Sequence, residues 1–424
     1  MERSKKIYPA FFLISCIFAN IAFCGEIDGL LDKLVEKNIL QGWEAQEIRI
    51  NTQEEVKKEI SEGSHKTLPL WVQSLYLGGD IRLRYQESKN DKSNYERQRG
   101  RYRVRFFAST KVNEQVLAGF GFASGENSDP RSTNQTFKDN FGKKGLYIDY
   151  VYAEYYPYSW LSLSGGRNKN PLWLSNDMIW DSDINPEGAN FKTEAAISSL
   201  LKIQSICGFF LLNESSSSPN DPYARYFQQF FYLRNGNSTL HLKGAFTYYD
   251  FKYITGKTVL NYRPSVTEGY LNSNTLKSGK YKYFYKPVSA DAEISYFISE
   301  PIGIPLTDRN ISNIAVFGNY LKNTAISKGS KGLLYGFRFG QDKVDDAGQF
   351  QFSFSQRRLE KDSWLDTYPD SDFYGGSTGV KGREYILTIG LLRNFSVILD
   401  YYESYEIGSS KKEKLFQSDI NFKF

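Results

Sequence analysis

Histidine occurs twice in 424 residues and cysteine three times, so the side chains that most often carry proton transfer, thiol chemistry or soft-metal binding are nearly missing. Cys16 and Cys24 fall in the first 24 positions and Cys207 stands alone. One cysteine cannot build a disulfide framework, and no CxxC pair exists for a metal. His65 and His241 are far apart in sequence, and no GxSxG pattern or paired acids accompany His241. A nucleophilic or acid-base site of the kind used by hydrolases therefore lacks its usual parts. A long apolar run is missing too. After Phe23 no stretch of about 18 apolar residues appears, so any membrane crossing by the rest of the chain falls to strands.

What is abundant is aromatic. Tyr and Phe number 31 each among 34 Gly, and aromatics make up 16% of the chain. That excess suits strands and interfacial girdles. The first 24 residues read as a signal peptide. Arg3, Lys5 and Lys6 form the charged start, Ile7 to Phe23 the apolar stretch, and Ala22 and Cys24 the small residues before a cut near Gly25. Retention as an anchor is the rival reading, and roughly 17 apolar residues barely reach across a bilayer. Leu13, Ile14, Ser15 and Cys16 also spell a lipoprotein box, but the apolar run continues past it. Cleavage removes Arg3, Lys5, Lys6 and Glu2 and takes 53 basic and 48 acidic residues to 50 and 47. So small a surplus implies no nucleic-acid partner.

Residues 25–73 read as a short helical segment. Ile27, Leu30, Leu31, Leu34 and Val35 recur at helical spacing, and a less regular helix spans Trp43 to Ile60. A hairpin packed on itself and an arm that plugs a pore or binds the cell wall are both compatible with it.

From Leu75 the period changes to two. Leu75, Leu77, Ile81, Leu83 and Tyr85 alternate with Tyr76, Asp80, Arg82 and Arg84, which gives one greasy and one polar face. In the next segment Arg97, Arg99, Arg101, Arg103 and Arg105 share a face, a row that no packed apolar core accepts. A soluble sandwich also tolerates alternation, so repetition and turn lengths decide. The pattern recurs over 74–86, 98–111, 114–125, 145–156, 160–168, 186–195, 202–213 and 225–235. It continues over 237–250, 286–298, 310–322, 332–341, 347–357, 382–392, 395–404 and 413–424. These segments match the length of a tilted membrane strand. Connections after the second, fourth, eighth and fourteenth are tight, whereas Glu126 to Lys144, Lys169 to Asn185, Phe251 to Tyr285 and Leu359 to Lys381 are long. Short and long turns alternating by parity is the habit of an outer-membrane barrel. The expected fold is all-β, a transmembrane antiparallel up-and-down barrel over 74–424 of about 16 strands, with 14 to 18 as the range.

Several stretches together resemble the family of putative porins of Gram-negative outer membranes. They are Leu30 to Lys37, Gly79 to Tyr85, Arg101 to Phe106, Gly165 to Pro171 and Ile179 to Gly188. The pattern departs at Gln41 to Trp43, where a helix-capping Ser or Thr is expected. The resemblance implies a barrel that passes small hydrophilic solutes across the outer membrane, without cofactor or covalent step. The final strand closes on Phe424, which looks like the terminal aromatic by which the barrel-assembly machinery recognises its clients. Outer-membrane lipid is the expected surrounding, residues 25–73 are expected in the periplasm, and a homotrimer is an assembly open to it.

Candidate site residues follow from this reading. Arg82, Arg84, Arg97, Arg99, Arg101, Arg103 and Arg105 would line the pore as a basic ladder that favours anions. Alternatively they form cross-strand ion pairs with Asp80, Glu87 and other carboxylates, each worth about 0 to 1 kcal/mol in a surface-like setting. The third external loop carries Asp177, Asp181, Asp183 and Glu187 beside Trp173 and Trp180. Folded inward, those acids would form a constriction facing the arginines; left outside, the tryptophans would cap the rim. Two other classes stay in view: a sealed barrel serving as adhesin or structural part, and a barrel hydrolase built on His241. The roughly 350 residues of barrel favour an open channel, because barrels of about 8 strands fill their own interior.

Overall fold

The computed structural model describes residues 69–424 apart from 92–95, 127–128, 215, 217–218, 259–272 and 306–308, together with Leu31, Leu34 and Ile48. The signal segment, most of the two N-terminal helices and His65 lie outside the described residues; Leu31, Leu34 and Ile48 are helical. The chain divides into Met1–Gln73 and Ser74–Phe424. Of the first unit the last turn is helical, Leu70–Gln73.

The second unit is a barrel of sixteen long strands. They are β1 (Tyr76–Asn90), β2 (Glu96–Lys111), β3 (Val116–Ala123), β4 (Tyr147–Tyr158), β5 (Leu161–Arg167), β6 (Glu187–Ala196), β7 (Leu201–Leu211) and β8 (Tyr223–Arg234). There follow β9 (Leu240–Lys252), β10 (Pro287–Gly303), β11 (Asn310–Asn323), β12 (Lys331–Gly340), β13 (Phe350–Leu359), β14 (Val380–Leu392), β15 (Phe395–Glu406) and β16 (Lys412–Lys423). Each strand pairs antiparallel with its neighbours in sequence, and β16 returns to β1 with Asp80 opposite Lys423 and Asn90 opposite Glu413. Closure leaves no row of backbone groups unpaired, which hydrocarbon demands. A two-residue piece, Gln135–Thr136, adds to the outer part of β2 at Arg101 and Tyr102.

All sixteen expected segments coincide with a strand. The largest differences are at β10, which runs on to Gly303, and at β1, which runs on to Asn90. The single-residue turn expected at Gly236 is wider. Asn235 N–H donates to the Leu240 carbonyl at 3.0 Å, with Ser238 in the left-handed region between them.

Burial along the strands is inverted relative to a soluble protein. Leu77, Ile81, Leu83 and Tyr85 of β1 are exposed, while Arg84 and Gln86 on the other face are only 7% and 3% exposed. The same inversion holds on β16, where Phe416, Ile420 and Phe422 face outward and Gln417 and Asp419 are buried. Period-two alternation therefore sends hydrocarbon-compatible side chains to the outer surface and polar ones inside. The connections alternate in length. One end of the barrel carries short turns such as Arg393–Asn394, and the other carries the long segments 124–146, 168–186, 253–286 and 360–379.

Candidate functional site

The long connections turn into the barrel and meet there. The loop 168–186 leaves β5 and crosses to the opposite wall. Trp173 exchanges two hydrogen bonds with Gln228 of β8, N–H to Oε1 at 2.8 Å and Nε2–H to carbonyl at 2.9 Å. Ser175 donates from its backbone and its hydroxyl to Asp291 of β10, at 3.1 and 2.8 Å. Beyond this crossing Met178, Ile179 and Trp180 are buried in an apolar cluster inside the barrel. Trp180 packs on Trp364 at 5.5 Å and on Tyr368 at 4.7 Å, both from the loop 360–379, and Trp364 in turn packs on Tyr249 and Phe251 of β9. The loop 253–286 joins them. Asn274 donates to the carbonyls of Lys361 and Trp364 at 2.6 and 2.8 Å, and Asp362 accepts from Thr275 and Tyr285. Backbone polar groups of loops in a barrel interior need such partners, and these side chains supply them.

The opposite part of the wall, β1 and β2, carries the arginines. Asp80 lies between Arg103 and Arg105, accepting from their Nε atoms at 2.9 and 2.7 Å. Arg84 binds Asp419 of β16 through two parallel hydrogen bonds of 2.7 Å and reaches Asp372 of the loop 360–379 at 3.0 Å. Arg82 donates to Asn134 at 2.8 Å and lies 3.6 Å from Asp419. Among the described residues Arg101 has no carboxylate within ion-pair distance; its guanidinium donates to Gln86, Ser132 and the Asn134 carbonyl at 3.1 to 3.3 Å. Arg97 and Arg99 continue the row on the same face. Glu87, named above as an alternative partner, occupies an odd position of β1 and accepts instead from the Tyr85 hydroxyl at 3.1 Å.

The loop acids approach this wall closely. Asp183 lies 3.6 Å from Arg105 and accepts from the Thr133 backbone and hydroxyl. Asp181 accepts from the Ser371 backbone at 2.8 Å, which ties the loops 168–186 and 360–379 together. Asp177 reaches Arg357 of β13 at 3.1 Å, and Asp370 and Glu384 complete the surroundings of that guanidinium at 3.3 and 2.9 Å. Glu187 stands apart from the three aspartates. It is the first residue of β6, more than half exposed, and pairs with Arg167 on β5 at 3.3 Å. The carboxylates and guanidinium groups are thus in contact on this side, not held apart across an open gap.

Burial raises the carboxyls of these loops, and the nearby cations decide how far. For Asp372, Arg84 and Arg101 outweigh burial and bring the carboxyl down to about 2. For Asp183 the pull of Arg103 and Arg105 likewise prevails over burial, and the carboxyl stays below its ordinary range. Asp181 and Asp370 are pushed well up, by burial first and then by the neighbouring carboxylates Asp183 and Asp177. About 35% of the Asp177 side chain remains accessible, yet the enclosing protein lifts it to about 6 against the pull of Arg357.

Sequence reasoning missed Asp372, Asp370, Arg357, Glu384 and Asp419. The strand residues among them sit at polar-phase positions of their alternation, which was the available signal. Nothing in the spacing of Asp370 and Asp372 names Arg357 or Arg84 as partner. His241, the candidate for a hydrolase, has the Tyr232 hydroxyl at 3.3 Å and the Phe297 ring at 4.5 Å; no Ser, Asp or Glu side chain hydrogen-bonds to its ring among the described residues. Cys207 is exposed on β7.

No curated protein matches the chain in sequence. The structure of OprB from Pseudomonas putida at high pH is 11% identical and superposes with a TM-score of 0.53 over 86% of this chain and 97% of its own; the likeness is one of fold. A Rhodopseudomonas blastica porin triple mutant, 11% identical, covers 82% of this chain and 100% of its own at a TM-score of 0.42. Salmonella typhi OmpF in complex with daunomycin, 10% identical, covers 82% and 97% at 0.47. The family model described as "Putative porin" matches residues 90–282 and 283–424.

Proposed function

From the premise that the chain belongs to this porin family and is an outer-membrane channel, we propose that small hydrophilic solutes pass by diffusion along a charged path through the barrel, beside the inward loops. The observation that carries this reading is the inverted burial: charged and amide side chains line the inside of a closed barrel whose outside is apolar. Such a wall offers water and ions a route through hydrocarbon with no energy coupling.

Selectivity on this reading is mildly anionic. Arg82, Arg84, Arg103 and Arg105 are largely offset by Asp80, Asp183, Asp372 and Asp419. Arg101 makes no ion pair among the described residues, and its guanidinium supplies the positive side of the path. Asp177 and Asp183 hold the loop 168–186 against the wall as its narrow part and Asp181 ties it to the loop 360–379, while Glu187 belongs to the strand behind it. Residues 25–73 lie in the periplasm, Phe424 serves recognition by the assembly machinery, and the apolar outer surface meets outer-membrane lipid.

The test is planar-bilayer conductance of the refolded mature chain, with the reversal potential read across a salt gradient. Stable open steps with an anionic reversal potential are expected, and replacing Arg101, Arg103 and Arg105 together by Ala moves that potential toward cations. A reversal potential unmoved by the triple substitution would remove the arginine wall from the account. Insertion without current would point to a sealed barrel.

A further inference from the structure

Porin walls are lined by polar side chains, yet one sector of this lumen presents aromatic rings. Tyr76 of β1 and Phe107 of β2 lie 5.8 Å apart between centroids, and Tyr150 and Tyr152 of β4 lie 6.1 Å apart. Glycines make room for the second pair. Gly121 and Gly119 of β3 stand opposite Tyr150 and Tyr152 in register, and a Cβ at Gly119 would come within 2.7 Å of the Tyr152 ring. The rings lie over a wall cleared of side chains. They border a cavity of about 450 Å³ whose lining also includes Asn190 and Lys169, the second residue of the loop 168–186.

Lys169 is placed in an unusual way. Its Nζ lies 5.4 Å from the Phe107 centroid and 5.2 Å from the Tyr150 centroid, so two ring faces attract it. Among the described residues it makes no ion pair. Asp80 is held by Arg103 and Arg105, whereas Lys192 across the cavity is paired with Glu154 at 3.5 Å. An ammonium against apolar rings, without a carboxylate, gains most from an anion that brings its own flat surface. A carboxylate would take the charge-assisted hydrogen bond. A ring beside it would occupy the aromatic wall, and the cavity volume lies within the range of small-molecule sites.

We propose that this cavity is a recognition subsite for small ring-bearing monocarboxylates on the solute path, with Lys169 binding the carboxylate and Tyr150, Tyr152 and Phe107 flanking the ring. The subsite rests on the channel reading above. Arg101 and its neighbours attract anions in general; Lys169 and the rings select among them.

The test is single-channel current through the refolded mature chain in potassium chloride, with benzoate, acetate or benzyl alcohol added to one side. Benzoate is expected to give saturable block, and acetate and benzyl alcohol little. Lys169→Gln and Tyr152→Leu each raise the benzoate concentration for half-block by about tenfold or more, the loss expected for one charge-assisted contact or one ring face. Lys169→Arg retains the block. Absence of any current in potassium chloride overturns the channel reading itself. Current without saturable benzoate block, equal block by benzyl alcohol, or half-block unchanged in both Lys169→Gln and Tyr152→Leu overturns the subsite alone.

Discussion

Arg84 and Asp419 face each other in register across the seam where the last strand meets the first, Nε to Oδ1 and Nη2 to Oδ2 both at 2.7 Å. Both side chains are almost wholly buried. A forked pair of this kind is strong when complete and costly when halved, because the surviving charge stays buried without its partner. Asp419→Ala is expected to destabilise the barrel by about 3–5 kcal/mol. Arg84→Met with Asp419→Leu together is expected to cost less than either half alone. Urea unfolding in detergent micelles, followed by the loss of the compact electrophoretic band, measures both.

Arg357 is the corresponding anchor for the loops. One guanidinium meets Asp177 from the loop 168–186, Asp370 from the loop 360–379 and Glu384 from β14, and lies 4.2 Å from the Phe373 ring. Arg357→Ala leaves three carboxylates facing one another and removes the cation that holds both loops to the wall. The expected result is a wider and noisier channel, read as larger unitary conductance with more frequent partial closures, in a barrel whose strands still form. Conductance identical to that of the parent chain would mean that the apolar cluster around Trp180 and Trp364 holds the loops unaided.

The legible and the illegible parts of this molecule divide along a physical line. A strand advertises itself locally, since its two faces meet different solvents and every second residue reports which. That is why all sixteen segments could be placed, and why Arg97 to Arg105 could be put on one face. Partnerships are not local. Asp419 is 335 residues from Arg84, and Asp372 is 288. Barrel closure and loop inversion create both contacts. Trp180 looks the same in a sequence whether it caps a rim or fills a core. Its burial depends on Trp364 and Tyr368, aromatic residues in a loop whose path no periodicity describes. Glu187 shows the reverse error: grouped with the loop acids by proximity in sequence, it belongs to a strand that begins at that residue.

Asp177 gives the channel a pH response within the ordinary range. Its carboxyl is raised to about 6, burial prevailing over Arg357, while Asp372 is held at about 2 and stays charged. As pH falls from 7 to 5, Asp177 takes up a proton and the lumen loses one negative charge. Anion preference should therefore rise toward low pH, with a midpoint near 6, and reversal potentials taken at a fixed salt gradient across that interval would show it. Asp177→Asn is expected to fix the potential at its low-pH value. A parent chain with a flat profile, or an Asn variant that still titrates, would assign the lumen charge elsewhere.

The last residue offers a way to separate stability from recognition. Gly79 donates its N–H to the Phe424 carbonyl at 2.8 Å and accepts from the Phe424 N–H at 3.0 Å, so the terminal residue is stitched to the start of β1. A Cβ at Gly79 would come within 2.5 Å of the Arg105 carbonyl and 2.7 Å of the Phe424 ring. Gly79→Val must push backbone or ring aside at the seam, an overpacking expected to cost about 1–3 kcal/mol. Phe424→Ala leaves both backbone bonds in place and removes a ring that is 63% exposed, so its effect on refolded stability should be small, within about 0.5 kcal/mol. If the terminal ring serves recognition by the assembly machinery, Phe424→Ala should lower the amount of folded barrel in the outer membrane of cells while its refolded stability matches the parent. Equal losses in cells and in micelles would make Phe424 a packing residue, and no loss in either would remove it from the assembly route.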